Sequence, residues 1–248
     1  MTTAVTYIGG PTVLLEYAGL TIVTDPTFDA PQSYPSDTGG PPLVKTAGPG
    51  IQRTDLPPVD LVLLSHHEHE DNLDYEGLEL LATGVRTYST MKAAGDLFGG
   101  GVIGLDPWES EDFRGVTITA VPALHGPPGS EPRLGPVIGF VLEAPNEPTV
   151  YVSGDNASIP LVEQIAEHFE RIDIAVLFAG AAQYGGLPGP LTLSSADAVE
   201  AARILGAHTV VGVHTEDWEH FSETRAQLEA AFGGAPLLGT PRGQRVEL

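Results

Sequence analysis

Four short apolar runs of this chain end in the same kind of chemistry. The run at 61–64 leads into Ser65-His66-His67-Glu68-His69-Glu70-Asp71-Asn72, that at 116–121 into His125, that at 150–152 into Gly154-Asp155, and that at 209–213 into His214. Apolar, β-branched runs of this length, bounded by turn residues, predict buried strands. Side chains at the ends of such strands converge on one rim of an α/β sheet, where ligands bind. The recurrence therefore demands a fold that brings four distant strand ends together. Each cluster alone has an ordinary explanation. His125 or His214 would be a structural histidine, Ser153-Gly154-Asp155-Asn156 a turn, and Glu68, Glu70, Asp71 and Asp74 an acidic start to a helix. Four repeats of one placement point instead to a shared site.

The rest of the chain supplies the layers such a rim needs. Runs at 5–8, 12–17 and 20–24, separated by Gly9-Gly10-Pro11 and Ala18-Gly19, read as a meander of antiparallel strands. Beyond a Gly-, Pro-, Ser- and Asp-rich stretch at 25–58, which includes Gly39-Gly40-Pro41-Pro42, strands and helices alternate. Helices are expected at 75–81, 91–98, 160–169, 194–205 and 223–232, and further strands at 137–142 and 172–177. Pro160 suits a first helical turn and Ser194 a helix cap. Alternation of this kind marks an α/β layered domain. A chain of 248 residues with 42% hydrophobic content can bury the core of one domain spanning 1–248. The part of the long stretch at 28–56 suits a lid or a subunit contact.

No stretch approaches the roughly 18 apolar residues of a membrane span. Met1-Thr2-Thr3-Ala4-Val5 lacks the basic start and apolar core of a signal peptide, so a cytoplasmic protein is expected, with no membrane partner. The absence of cysteine removes disulfides, thiolate nucleophiles and Cys-based zinc sites. Any metal must be held by His, Asp or Glu. With 33 acidic against 11 basic residues and a formal charge of −22, the chain is poorly suited to gripping a phosphate backbone, and nucleic acid is excluded as a partner.

His67 and His69 are alternate residues and point the same way if their segment is extended. With His125 they make a three-nitrogen site that keeps a position for water, the pattern of a catalytic zinc centre. Asp155 offers a carboxylate to this metal and to a neighbouring one, which Asp71 and His214 complete. The register with His66 in place of His67 stays open, because adjacent residues of an extended segment face opposite sides. A divalent metal lowers the pKa of bound water to about 7 and polarises the bond under attack. The expected catalytic residues are Asp71 and Asp155, orienting the water, and His220, donating a proton.

Ser65-His66-His67-Glu68-His69-Glu70-Asp71-Asn72-Leu73-Asp74 resembles the His-x-His-x-Asp-His signature of metallo-β-lactamase-fold hydrolases, in particular the branch similar to ascorbate-6-phosphate lactonase. Tyr7-Ile8-Gly9, Thr12-Val13-Leu14-Leu15-Glu16 and Thr24-Asp25-Pro26 look like that branch's opening strands, and Val121-Pro122-Ala123, His125, Tyr151-Val152-Ser153-Gly154-Asp155 and Val213-His214 follow in the expected order. The resemblance implies an α/β, four-layer αββα sandwich with metals at one edge. It assigns His67, His69 and His125 to a first metal, Asp155 to a bridge, and Asp71 and His214 to a second. Asn72 departs from the signature's last histidine, and an amide oxygen is a weaker zinc ligand than imidazole. One or two Zn2+ ions are therefore expected, with Mn2+ or Fe2+ as alternatives.

The implied activity is hydrolysis of a small-molecule ester, lactone, amide or phosphoester. The contrasting readings are a non-catalytic metal-binding or degenerate relative, and redox chemistry on iron. The loop at 126–129, the segment at 178–187 with Tyr184, and Trp218-Glu219-His220-Phe221 are candidate pocket walls. A phosphate-bearing substrate would draw on Arg133, Arg53 or His220. The branch also implies self-association into a homo-oligomer.

Overall fold

A computed structural model describes residues 2–36, 41–97 and 101–248. The first sheet opens with the expected meander, in which β1 (Ala4–Gly9), β2 (Thr12–Tyr17) and β3 (Leu20–Thr24) pair antiparallel. A hairpin of β4 (Gln32–Tyr34) and β5 (Leu43–Lys45) follows inside the long stretch that was expected to be all loop. Then β6 (Leu61–Leu63), β7 (Arg86–Thr90) and β8 (Val102–Leu105) add to β3 in parallel. The second sheet begins with β9 (Ser110–Phe113), β10 (Val116–Pro122) and β11 (Ile138–Glu143), all antiparallel. It continues through β12 (Val150–Val152), antiparallel to β11, into the parallel strands β13 (Ile174–Phe178) and β14 (Thr209–Val213). A last strand, β15 (Arg245–Glu247), returns to pair with β1.

Period-2 alternation along these strands builds four layers. Leu61 and Leu63 of β6, Val150 and Val152 of β12, and Ile174, Val176 and Phe178 of β13 all enter one core between the two sheets. Their alternates face outward and are buried again by helices. Val62 and Leu64 pack with Leu80 and Leu81 of α1 (Tyr75–Leu81). Tyr151, Ala175 and Leu177 pack with Val162 and Ile165 of α4 (Ile159–His168), Ala198 and Leu205 of α5 (Ser195–Leu205) and Leu228 of α6 (Arg225–Phe232). Strands buried on both faces read as unbroken apolar runs, which is why 61–64, 150–152 and 209–213 were legible. The expected αββα sandwich is the observed architecture.

Helix starts follow their caps. The Ser194 hydroxyl accepts from Asp197 N while the Asp197 carboxylate takes Ser194 N, and Thr224 and Gln227 repeat the arrangement at α6. The helix expected at 91–98 is α2 (Met91–Asp96), capped by Thr90, and Phe98 lies outside the described residues, as do Gly39 and Gly40. A short α3 (Glu131–Leu134) was not anticipated. Nor was β7, because its buried alternates are Thr87 and Ser89 rather than apolar residues. The strands β8, β9 and β15 are short sheet-end elements with largely polar or half-buried sequence.

Topology sets the rim. The strands β3 and β6 are parallel, so both deliver their C-terminal ends to one edge of the first sheet. In the second sheet, β10 runs antiparallel to β11, β11 antiparallel to β12, and β12 parallel to β13 and β14. The strands β10, β12 and β14 therefore also end together. A backbone bond from Ile138 N to Ser65 O (3.1 Å) and another from His214 N to Gly10 O (2.7 Å) stitch the two sheets at this edge.

Candidate metal centre

His66 leaves the end of β6 fully buried. The Ser65 hydroxyl donates to Asp25 Oδ1 (2.7 Å), so toward His66 Nδ1, 3.0 Å away, it can only accept. The ring proton therefore sits on Nδ1, and the Nε2 lone pair faces His69 Nδ1 at 2.9 Å. His125, buried beyond the end of β10, has Nδ1 3.0 Å from the Leu191 carbonyl, which also only accepts. Its Nε2 lone pair faces the same His69 Nδ1 at 3.3 Å. Three imidazoles thus aim one nitrogen each at a common point, with their outer nitrogens on His66 and His125 fixed by protein acceptors. Such outer contacts orient metal-bound histidines. Burial, then the neighbouring His125, holds His66 well below the usual imidazole range and pushes His69 down to about 4. Three ring nitrogens converging on one point, with His66 and His69 held neutral by burial, suit a cation rather than one another.

Asp71, Asp155 and His214 form a second buried group whose ligand atoms lie within 4.8 Å of one another, as do those of His66, His69 and His125. His214 Nε2 stands 3.3 Å from Asp71 Oδ2 and 3.5 Å from Asp155 Oδ1. Asp155 Oδ2 stands 3.6 Å from His125 Nε2. One carboxylate thus touches both groups, one oxygen to each. Asp155 Oδ2 and both ring nitrogens of His214 are buried without a hydrogen-bond partner, an arrangement costly for a protein interior unless an ion satisfies it. Burial would lower the His214 pKa, but Asp155 and Asp71 outweigh it and raise it. Burial works against the Asp71 carboxylate, yet His220 and His214 hold it well below the usual range. His214 has φ of 60°, the left-handed conformation rarely adopted by a residue with a side chain. The donor set fits two divalent ions, one in a nitrogen-rich and one in an oxygen-rich environment.

His67 does not join either group. Its Nδ1 lies 3.2 Å from Glu68 Oε2 and its Nε2 3.2 Å from Asp96 Oδ2, so the ring turns toward α2. The segment after β6 is bent rather than extended, with Asn72 N and Leu73 N both donating to His69 O. In a turn, residues three apart share a side, which pairs His66 with His69 and corrects the expected pairing of His67 with His69. Asn72 also has a different place from the one its motif position suggests. Its amide nitrogen donates to Asp155 Oδ1 (3.3 Å) and Asp25 Oδ1 (3.4 Å), holding the carboxylate that lies against both groups. The remaining site residues, His69, Asp71, His125, Asp155 and His214, come together, and His220 joins them through Nε2, 2.9 Å from Asp71 Oδ2.

Asp25 is the site residue that the motif reading passed over. It is buried at the end of β3 and receives hydrogen bonds from Ser65 N and Ser65 Oγ as well as Asn72. It thereby supports His66 through Ser65 and Asp155 through Asn72. Burial pushes its carboxyl up to about 8, against the hydrogen bonds from Ser65. The signal was present: an acid directly after a strand, the same placement that marked the other donors.

A cavity of about 710 Å3 opens onto the centre, lined by His69, Asp71, His125 and His220 on the site side and by Tyr34, Leu134, Tyr184 and Leu191 among its walls. Tyr184 is the expected wall residue, and its hydroxyl donates to Pro41 O (2.9 Å). Trp218 packs behind, against Tyr34. A second groove of similar size lies at the opposite ends of the same strands. There Asp173 is already paired with Arg171 and His208.

A two-sheet αββα sandwich with histidine and aspartate donors gathered at its rim is the architecture of the metallo-β-lactamase fold. The domain model of the β-lactamase superfamily matches residues 21–215, and the chain belongs to that superfamily as one of its metal-dependent hydrolases. A relative named UPF0173 metal-dependent hydrolase, from Methanosphaerula palustris, is 32% identical over 197 residues, covering 76% of this chain and 84% of that protein. Among solved structures, a possible metal-dependent hydrolase from Veillonella parvula DSM 2008 superposes with a TM-score of 0.87 at 21% identity, covering 100% of both chains. The isothiocyanate hydrolase from Delia radicum gut bacteria superposes with a TM-score of 0.85 at 24% identity, covering 99% of this chain and 98% of that one. Both share the fold. Among the described residues no helix is long and apolar enough to cross a membrane.

Proposed function

We propose that this chain hydrolyses an ester-type bond of a small molecule, a lactone included, with two divalent ions held by His66, His69 and His125 and by Asp71, Asp155 and His214. The observation that carries this reading is the pair of buried donor groups sharing Asp155 and bordering one cavity. When bound, divalent ions supply Lewis acidity, lowering the pKa of water to about 7 and polarising the substrate oxygen.

The chain's own residues do the rest. Asp71 and Asp155 orient the attacking water, whose oxygen bonds to the acyl carbon as the carbon–oxygen bond to the leaving group breaks. Asp71 can only accept from His220, so His220 Nε2 carries a proton beside the cavity; that proton passes to the leaving oxygen while Asp71 takes the proton that the attacking water gives up and returns it to Nε2, so that both groups end as they began. Asn72 and Asp25 keep Asp155 in place while the charges rearrange. Zinc suits the three-nitrogen group, and Mn2+ or Fe2+ suits the oxygen-rich one.

The test is a turnover screen of metal-loaded protein across esters, lactones, phosphodiesters, amides and an isothiocyanate, repeated after chelation and after reloading with Zn2+ or Mn2+. Turnover of at least one ester or lactone, lost on chelation and restored by metal, is expected. Turnover that survives complete metal removal, or none with two ions bound, would overturn the proposal.

A further inference from the structure

The ion pairing of the basic residues bears on which small molecules this cavity takes. Acidic residues outnumber basic ones 33 to 11, so a basic side chain without an acidic partner stands out. Nine of the 11 hold such partners. No ion pair of Arg86 or Arg133 occurs among the described residues. Arg86 begins β7, at the end of the sheet away from the rim. Arg133 lines the cavity that borders the metal centre.

Arg133 is also placed by the site itself. It belongs to α3, whose N-terminal Ser130 donates its hydroxyl to the His125 carbonyl (2.5 Å), and whose Leu134 is buried. The helix is therefore fastened to a donor of the first metal group. The guanidinium makes one long contact, from Nη2 to Gly185 O at 3.5 Å, and is otherwise exposed. The two other residues that a substrate anion would call on are engaged. Arg53 is bound to Glu76 at 2.6 Å and is absent from the cavity lining, and His220 is held by Asp71.

We propose that Arg133 is an anion subsite, and that the substrate carries an oxyanion, carboxylate or phosphoryl, on an apolar body. A guanidinium presents a planar fork of donors matched to either oxyanion. The walls formed by Tyr34, Leu43, Leu134, Tyr184 and Leu191 take the apolar part. Glu68, Glu70 and Asp71 line the same cavity and the molecule as a whole carries −22, so Arg133, the one Lys or Arg side chain in the described lining, is where an anion is met rather than repelled. This inference rests on the hydrolase reading, but its test does not depend on turnover.

The experiment measures, by calorimetry, binding of 4-phenylbutyrate, 3-phenylpropylphosphonate and the neutral 4-phenylbutyramide to metal-loaded wild type and Arg133→Gln. At least one anion is expected to bind wild type about tenfold more tightly than the amide, a difference of about 1.4 kcal/mol. In Arg133→Gln that preference should fall at least fivefold, while amide affinity and melting temperature stay unchanged. An anion preference undiminished in Arg133→Gln assigns the anion to the metals and overturns the subsite, as does the absence of any preference in wild type. Arg133-dependent binding without turnover of any ester or lactone sinks the proposed ester-type substrate and keeps the subsite. Turnover without it does the reverse.

Discussion

Alanine at position 66 removes one of three nitrogens that converge within hydrogen-bonding distance, whereas alanine at 67 removes a ring whose partners among the described residues are Glu68 and Asp96. Elemental analysis is therefore expected to show metal lost from His66→Ala and retained in His67→Ala. Equal metal in His66→Ala and wild type would sink the ligand assignment. A second residue-scale case is Lys45, 2% exposed, whose ammonium lies 2.7 Å from the fully buried Asp74 carboxylate. Asp74 also caps α1 through Gly77 N and accepts Asp29 N. Removing one partner of a buried pair leaves an uncompensated charge, and Lys45→Ala should cost about 3–5 kcal/mol in denaturant unfolding. A loss well under 1 kcal/mol would mean that water reaches Asp74.

At the scale of elements, the second metal group depends on how closely β13 and β14 approach beyond their ends. Gly180 follows β13, and a Cβ at that position would overlap the His214 carbonyl oxygen. The His214 backbone cannot easily yield, because its φ of 60° is already held by the bond from His214 N to Gly10 O. Gly180→Ala should therefore displace His214 and lower bound metal toward one ion per chain while the His66, His69 and His125 group stays filled. Metal analysis of the variant checks this, and full occupancy of both groups would show that the loop relaxes without cost. The turn after β6 works in the same way, since bonds from Asn72 N and Leu73 N to His69 O set which histidines face inward.

For the whole molecule, the two sheets contribute to one centre: Asp25, His66, His69 and Asp71 come from the first, and His125, Asp155 and His214 from the second. Ions at this seam bind only the folded arrangement, so they stabilise it by mass action. Metal at about a thousand times its dissociation constant adds about 4 kcal/mol, which in a chain of this size corresponds to roughly 10 °C in melting temperature. Chelation should lower the midpoint by about that much, and re-addition of Zn2+ should restore it. A midpoint indifferent to complete metal removal would contradict an ion bound across the seam.

Much of this was legible in the residues alone. The apolar runs at 61–64, 150–152 and 209–213 announced doubly buried strands, and the cap Ser194 lies where a helix begins. His69, Asp71, His125, Asp155 and His214 lie close together, as their shared placement after apolar runs led one to expect, because topology brings like-directed strand ends to one rim. Buried Thr87 and Ser89 hid β7, since polar residues at buried positions break the alternation on which strand reading depends. The choice of His66 over His67, the role of Asn72 as a holder of Asp155, and the support from Asp25 were decided only by tertiary structure. A motif records which donors are close in sequence, but the direction of each ring follows from the local turn and from partners such as Ser65, Asp25 and Leu191, which lie up to 66 residues away.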